Sequence, residues 1–543
     1  MKRVFIIFIA LFLASFKAAA APAERIYVST DRNVYLAGED LWCSLFLVDC
    51  ASRTLSSCSA VSYLELISVD GTVATAKIAL VEGRGSGKFI IPSNIPSGNY
   101  RLVAYTASQE EESKPYGSRI LSIFNTSSAA RVKGGVTLVS EEEFRALPRP
   151  EQETEGPVEI GLPENLRHGN SVKLSLFNNG AFPASLSVSV HKKEATLIGP
   201  ENDGPAAFMR YLPPTVDNGD GFPEYEGEII TAITRNAPEE TMVTLSSAGI
   251  APDVYLGRTG SDGRVRFFTN NIYGNRELVV EVYGVDNASL LFESPFTHPN
   301  PGIIAPLIIS SAQKDDLLAR KASLAILPRA DTLLSFFPRR QDAFLGSTTP
   351  VHYHLDDYTR FDSFRELVVE ILSELQLREN HGKKELFMVI PEGANSRKNL
   401  MDNILVLLDG VIISDLRILE EMDANRLDDV YIYTTGVTIG GLAFNGVVNF
   451  ITKNQHVKAI RFPSNVIVTD YSGACYPVAL LCGFSGDERL NLIYWNPLVD
   501  IKPGETVDIS LGVPRASGQY EIVAEGFGND GSPIRISRDF EIK

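Results

Sequence analysis

One stretch constrains this chain more than any other. Residues Ile404-Leu405-Val406-Leu407-Leu408 form an unbroken apolar run that stops at Asp409-Gly410. A short run of that kind, closed by a turn dipeptide, predicts a strand buried on both faces. Val411-Ile412-Ile413 resume the apolar character, and Ser414 is placed to cap a helix on which Leu416, Leu419 and Met422 fall at helical spacing. Val430-Tyr431-Ile432-Tyr433-Thr434 alternates β-branched and aromatic residues, as strands do. Gly436, Gly440 and Gly441 punctuate a loop, and Asn445-Gly446 then turns the chain into a last strand, Val447 to Lys453. The predicted order is strand, helix, strand, glycine loop, Asn-Gly, strand.

The wording LVLLDGVIIS…IGGLAFNGVVNFITK resembles the plug domain of TonB-dependent outer-membrane receptors. Leu405 to Gly410 match the family's first strand, Gly440 its central glycine, and Asn445 to Lys453 its closing strand. Ile439 stands where the family commonly has Tyr, and Thr434-Thr435-Gly436 replaces its sheet-edge segment. Apolar strands and Asn-Gly turns also occur at the edge of many α+β domains. Upstream, Ser363-x-x-Glu366 forms a capping box, and Phe364, Leu367, Val368, Ile371, Leu372 and Leu375 follow as one apolar helical stripe. Leu386 to Ile390 reads as a strand. Together these define an expected α+β plug-like domain at 350–456. A receptor barrel of about 22 strands, each of ~9–11 residues, needs roughly two hundred residues or more. Only 90 residues follow Lys453, so the plug-like unit is expected without a barrel of its own.

The chain has 543 residues, enough for about 3–5 domains. Hydrophobic residues make up 44% of it, so most of the chain should bury a core. The net charge is −17 and no Lys/Arg-rich block occurs, which argues against nucleic acid as a partner, since phosphate binding needs clustered positive charge. Residues 1–20 have the form of a signal peptide: Lys2 and Arg3, the apolar stretch Val4 to Phe16, then Ala18-Ala19-Ala20, with cleavage expected after Ala20 or Ala23. No Cys follows that stretch at a lipid-anchor position, and no later apolar run of ~18 residues predicts a membrane helix. The five cysteines are Cys43, Cys50, Cys58, Cys475 and Cys482. In an oxidising compartment Cys475 with Cys482 could bridge, as could one pair among the first three; buried or optionally paired thiols are the favoured account.

The rest of the chain reads as strands and turns. Asp31-Arg32, Tyr35 and Gly38-Glu39 follow a Tyr-containing strand, and Gly98 to Ala104 spells a G-x-Y-x-L-x-A closing strand. These residues resemble the macroglobulin-type β-sandwich of alpha-2-macroglobulin-like proteins, over 24–130. The same pattern recurs weakly at Gly169 to Leu176, Gly504 to Leu511 and Gly518 to Ala524. It predicts a second sandwich at 156–212 and a C-terminal sandwich at 460–543. Thr259-Gly260-Ser261-Asp262-Gly263 before Arg264-Val265-Arg266-Phe267 resembles the carboxypeptidase-regulatory-like sandwich that often precedes plugs; an ordinary hairpin explains it as well. That region, with connecting β structure, is placed at 224–345. Residues 131–155 and 199–223 read as linkers.

No catalytic constellation is legible: neither G-x-S-x-G nor H-E-x-x-H occurs. Gly83-Arg84-Gly85-Ser86-Gly87-Lys88 misses the leading glycine of a phosphate loop, and Phe89 stands where a metal-binding hydroxyl is needed; an inter-strand turn is expected. His352-x-His354-x-Asp356 could align three ligand types on one face, but a solvated segment is the favoured account. Position three of an EF-hand at Asp217 would be Gly219. The Cys-Gly-Glu-Gln thioester of some macroglobulins is absent. The expected fold is therefore mainly β: tandem Ig-like or macroglobulin-like sandwiches plus one α+β plug-like domain. No catalytic, cofactor-binding or metal residue is assigned. The resemblance implies a Gram-negative cell and an exported, non-enzymatic binding or accessory protein of the periplasm or outer membrane, partnered by an outer-membrane transporter or another envelope protein. The alternative is a macroglobulin-like scaffold that meets proteases or peptides. Loops 199–223 and 436–446 are the expected binding elements.

Overall fold

The computed structural model describes residues 23–108, 118–132, 135–147, 154–163, 171–193, 204–213, 223–249, 253–324, 332–335, 348–380, 383–392, 397–454, 460–481, 491–513 and 517–542. The chain is mainly β and divides into two compact units, one of residues 1–225, 295–338 and 474–543, the other of 226–294 and 339–473. The leader expected at 1–20 lies outside the described residues.

The first unit opens with a β-sandwich. Strands Glu24–Thr30, Asp40–Asp49 and Arg84–Ile90 form one sheet. Strands Val34–Leu36, Ser118–Phe124, Gly98–Tyr105, Val61–Ser68 and Gly71–Ala79, in that order, form the other. Tyr100, Leu102 and Ala104 enter the core between the sheets, as the alternation demands. Their neighbours Asn99, Arg101, Val103 and Tyr105 are also buried, because residues 295–306 lie across that outer face. Of the turn expected at 83–88, only Gly83 (φ +75°) turns the chain, with Glu82. Gly85 and Gly87 belong to the strand Arg84–Ile90, where a Cβ would stand 2.8 Å from Leu80 Cδ2 and 2.8 Å from Ile78 Cδ1 respectively.

The second sandwich corrects the expected domain order. Ser171–Asn178 pairs along its length with Thr506–Gly512, so Val172 faces Leu511, Leu174 faces Ile509 and Leu176 faces Val507. Ala184–Lys192 runs between Leu492–Ile501 and Gly518–Gly528, with Pro533–Ile542 on the far edge. The segments expected as separate sandwiches at 156–212 and 460–543 thus contribute to one, around Leu174, Leu186, Val188, Ile501, Ile522 and Ile534. The two similar opening strands are each other's partners because both carry a period-2 apolar face, and pairing buries the two faces together.

The first and second sandwiches share a dry junction. Tyr27, Phe46 and Phe527 meet there with Phe208, Met209 and Leu212. Those last three belong to, or directly follow, the helix Pro205–Tyr211, started by Pro at its first position. The described part of 199–223 is therefore packed, not an exposed binding loop; 199–203 and 214–222 lie outside the described residues. Beside this junction Glu525 bonds Arg119 at 2.6 Å and Arg535 at 2.9 Å, all three buried. The expected linker 131–155 also carries structure: Val136–Val139 pairs in parallel with Leu307–Ser310, and Ser140 and Glu143 cap the helix Glu141–Ala146 reciprocally.

In the second unit, Arg264–Phe268, Ile229–Arg235 and Ser289–Phe292 form one sheet of a third sandwich. Asp253–Arg258, Met242–Ser247, Asn275–Val282 and Val466–Ser472 form the other. Its last strand comes from the region expected in the C-terminal sandwich, and residues 295–338 of the expected 224–345 domain belong to the other unit.

The remainder of this unit is α+β. Its sheet runs Val351–His354, Leu427–Tyr433, Val447–Thr452, Leu405–Leu408, Val411–Ile412, with Leu405–Leu408 parallel to Val447–Thr452. Val406 and Leu408 enter a core with Phe364, Leu367 and Val368 of the helix Phe364–Glu370. Leu405 and Leu407 pack on the opposite side, with Val254 and Leu256 of the third sandwich partly buried against them. The apolar run is thus buried on both faces. Two expected helices are shorter than their stripes. The first ends at Glu370, although Leu372 and Leu375 stay buried. The second is one turn, Arg417–Glu420; Asp415 rather than Ser414 accepts from its first N–H (Arg417 N to Oδ1, 3.0 Å), while Ser414 donates its hydroxyl to Glu281. The expected glycine loop is a hairpin, Val437–Ile439 with Leu442–Phe444, turned by Gly440 (φ +54°) and Gly441 (φ +81°).

A chain ending at Gly473 keeps Ser171–Asn178 and Ala184–Lys192 of the second sandwich and loses Leu492–Ile501, Thr506–Gly512 and Gly518–Gly528, which pair with them. Limited trypsin digestion of that truncation is expected to cut at Lys173, Lys192 or Lys193 while 226–473 stays resistant; equal resistance in both regions contradicts the shared sandwich.

Candidate functional site

The two halves of the stretch that dominates the sequence meet at one buried turn. Asp409 (φ +50°) and Gly410 (φ +82°) link Leu408 to its register partner Val411. Both positions are left-handed, as a two-residue hairpin requires. The Asp409 side chain points to the closing strand: Thr452 donates its N–H to Oδ1 (2.7 Å) and its hydroxyl to Oδ2 (2.7 Å). Gly410 N–H donates to Asn449 Oδ1 at 3.0 Å. Asp409 and Asn449 are each 1% exposed. A buried carboxylate needs such donors, so the Asp-Gly turn and the Asn and Thr of the last strand form one bonded unit. Asn445-Gly446 does not make a hairpin turn. Asn445 bonds Asn403 O (N–H, 3.0 Å) and Asp402 O (side chain, 2.8 Å). A Cβ on Gly446 would meet Met388 at 2.5 Å and Tyr433 O at 2.8 Å, so glycine is required there by close packing.

A second polar network is built by the motif at 31–39. Asp31 Oδ1 accepts from Tyr35 Oη (2.6 Å) and Trp42 N (2.9 Å). Arg32 bonds Asp31 at 2.6 Å and Glu39 at 3.2 Å. Gly38 (φ +92°) turns the chain so that Glu39 Oε2 accepts from Leu36 N at 2.9 Å. Glu39 is completed by Arg320, whose Nη2 lies 2.8 and 2.6 Å from its two oxygens. Burial raises the pKa of Asp31. Burial acts the same way on Glu39, but Arg32 and Arg320 overcome it and lower that carboxyl. Arg320 sits on the helix Ser311–Leu324, far from the motif in sequence, and no local signal points to it.

The two histidines, expected in a solvated loop rather than a ligand cluster, lie instead on the strand Val351–His354 and gather around a carboxylate of the neighbouring strand. His352 Nε2 and His354 Nδ1 lie 2.8 and 3.0 Å from the same oxygen, Asp429 Oδ1. Asp429 faces His354 on the neighbouring strand. Asp356 instead pairs with Arg360. The His352 ring stacks on Tyr431, centroids 4.4 Å apart. The bond to Asp429 raises the pKa of His354. Among the described residues no group of three or more His, Cys, Asp or Glu side chains could hold a metal ion. Cys43, Cys50, Cys58 and Cys475 are free thiols, so the first three form no bridge with one another; Cys482 lies outside the described residues. No described helix is long and apolar enough to cross a membrane.

No protein-family model matches the chain, and no curated protein matches it. Among solved structures it is similar to the native conformation of Escherichia coli alpha-2-macroglobulin, with 10% identity, a TM-score of 0.24, and coverage of 97% of this chain and 40% of that one. Salmonella alpha-2-macroglobulin reacted with methylamine matches with 9% identity, a TM-score of 0.25, and coverage of 97% and 40%. The Escherichia coli adhesin FdeC matches with 10% identity, a TM-score of 0.16, and coverage of 53% and 66%. The chain spans about 40% of the length of the macroglobulin chains. Scores this low do not place it in their family, and the sandwich class rests on the strand pairing itself.

Two outcomes test this geometry. Asp409→Ala leaves the Thr452 N–H buried without its acceptor, a loss of about 1–3 kcal/mol, and adds left-handed strain of about 1 kcal/mol. Asp409→Asn tolerates that backbone and keeps one acceptor, so urea unfolding should rank Ala well below Asn, and both below the parent. For His354, a folded pKa above the unfolded value means that its contribution is complete below about pH 6.5 and fades as pH rises through the folded value. NMR titration should place His354 above an unperturbed imidazole, and Asp429→Asn should bring it down.

Proposed function

We propose that the chain is a non-enzymatic binding or accessory protein of the cell envelope. In this reading its α+β unit serves as a plug-like module, engaging an outer-membrane transporter barrel or another envelope protein in trans. One observation carries it: Asp409-Gly410 and Asn449/Thr452, from the two separated segments that resemble the plug family, lock onto each other around a parallel strand pair. The hairpin 437–444 supports the reading as the presenting element, since Thr438 and Ala443 are exposed on a buried base of Val447 and Leu405. Export to the periplasm or outer membrane is part of the same proposal.

A tagged full-length chain should capture an outer-membrane protein from detergent-solubilised membranes, and Thr438→Glu with Ala443→Glu should abolish the capture. Recovery of no membrane protein, or capture indifferent to those changes, removes this reading. The second reading, a macroglobulin-like scaffold, draws on the Asp31–Arg32–Glu39 wiring of the first sandwich. It requires cleavage or complex formation when the purified chain meets a panel of proteases.

A further inference from the structure

Residues 295–306 (PFTHPNPGIIAP) lie in neither helix nor strand, yet they cross the outer face of the five-stranded sheet of the first sandwich. They are held there largely through their main chain. Tyr105 Oη accepts from Thr297 N–H (2.9 Å) and Glu65 Oε1 from His298 N–H (3.0 Å). Arg101 donates to Pro301 O (2.9 Å) and Ile303 O (3.0 Å), and Asn99 to Ala305 O (3.0 Å). Two side chains of the segment add contacts: Phe296 stands edge-on to Tyr63 at 5.8 Å, and His298 Nδ1 meets Glu65 at 3.1 Å. The large apolar Ile303 points away and is 89% exposed. Burial of apolar side chains is therefore not what seats this strap.

The face beneath is organised by its own bonds. Tyr105 Oη donates to Glu65 Oε1 (2.6 Å), Thr72 Oγ1 donates to Glu65 Oε2 (2.6 Å), Ser122 donates to Asn99 Oδ1 (2.8 Å), and Arg101 donates to Ser118 (2.9 Å). Tyr63 and Tyr105 stack at 5.9 Å. These bonds run between residues of the sheet itself and not through the strap. A preorganised row that reads backbone groups tolerates many side chains. Prolines at 295, 299, 301 and 306 fix φ at four positions of the occupant and lower its ordering cost. A segment with no ladder of its own opens more readily than the sheet under it.

We infer that this face, formed by Tyr63, Glu65, Asn99, Arg101 and Tyr105, is a binding surface for a non-helical, proline-containing segment of another polypeptide, and that residues 295–306 occupy it in cis as a built-in competitor. The strap itself defines the occupant's chemistry: main chain that turns at His298 (φ +51°) and Gly302 (φ +64°), an aromatic residue over Tyr63, and prolines in between. The inference is independent of the envelope reading, and its failure leaves that reading untouched.

The test uses the full chain and a fluorescein-labelled peptide of sequence PFTHPNPGIIAP. Phe296→Ala with His298→Ala weakens the strap and leaves the face intact. That variant should bind the peptide saturably and about tenfold more tightly than the parent, since freeing the competent state raises apparent affinity in proportion. In the same background Tyr105→Phe removes one hydroxyl and should weaken binding by about 3–10-fold; Arg101→Ala should weaken it further. Circular dichroism and the unfolding midpoint establish that each variant is folded. The inference is overturned if the folded strap variant shows no saturable binding, or if binding is unchanged by both Tyr105→Phe and Arg101→Ala.

Discussion

The strand Ala184–Lys192 holds the first unit together, because its partners on both sides, Leu492–Ile501 and Gly518–Gly528, lie some three hundred residues later. Closing a flexible loop of that length costs about 5 kcal/mol in chain entropy. The intervening chain is not flexible coil: 226–294 and 339–473 form a compact unit with its own cores. Such non-local pairing is the kind that slows folding.

Buried charge specifies how the sandwiches of this unit are completed. Glu525 lies between Arg119 of the first sandwich and Arg535 of the second. Burial opposes its ionisation, but the two guanidiniums prevail and its pKa is lowered. Glu39 is held similarly between Arg32 and Arg320. Groups of this kind add little net stability relative to apolar packing, but loss of one partner leaves a desolvated charge, at a cost of about 3–5 kcal/mol. They act as registration points: Arg119 meets Glu525 when the strand Gly518–Gly528 is in place.

The α+β unit shows the same logic with neutral groups. Asp409 and Thr452 are ordinary residues in composition, yet the Asp409 carboxylate accepts both the N–H and the hydroxyl of Thr452. The helical stripe 364–375 correctly marks buried positions but overstates the helix, because Leu375 leaves it to start the strand Leu375–Asn380. Periodicity reports which residues face a core, and both conformations present Leu372 and Leu375 to the same one. The pairing of His354 with Asp429 rather than Asp356 has a similar origin: strand neighbours approach across the sheet, and sequence spacing does not see them.

What the sequence determined by itself was local. Period-2 alternation and turn glycines set the strands, the run 404–408 set a strand buried on both sides, and the Asp31–Glu39 motif set a wired turn. These follow from nearest-neighbour sterics and from which face of an element is apolar. Only the tertiary structure decided which strands share a sandwich, that Arg320 completes Glu39, and that residues 295–306 cover the polar face at Glu65 and Arg101. Period-2 strands are interchangeable in pattern, so their pairing is selected by long-range packing and by buried charges that must find partners, and neither leaves a mark on the residues nearby.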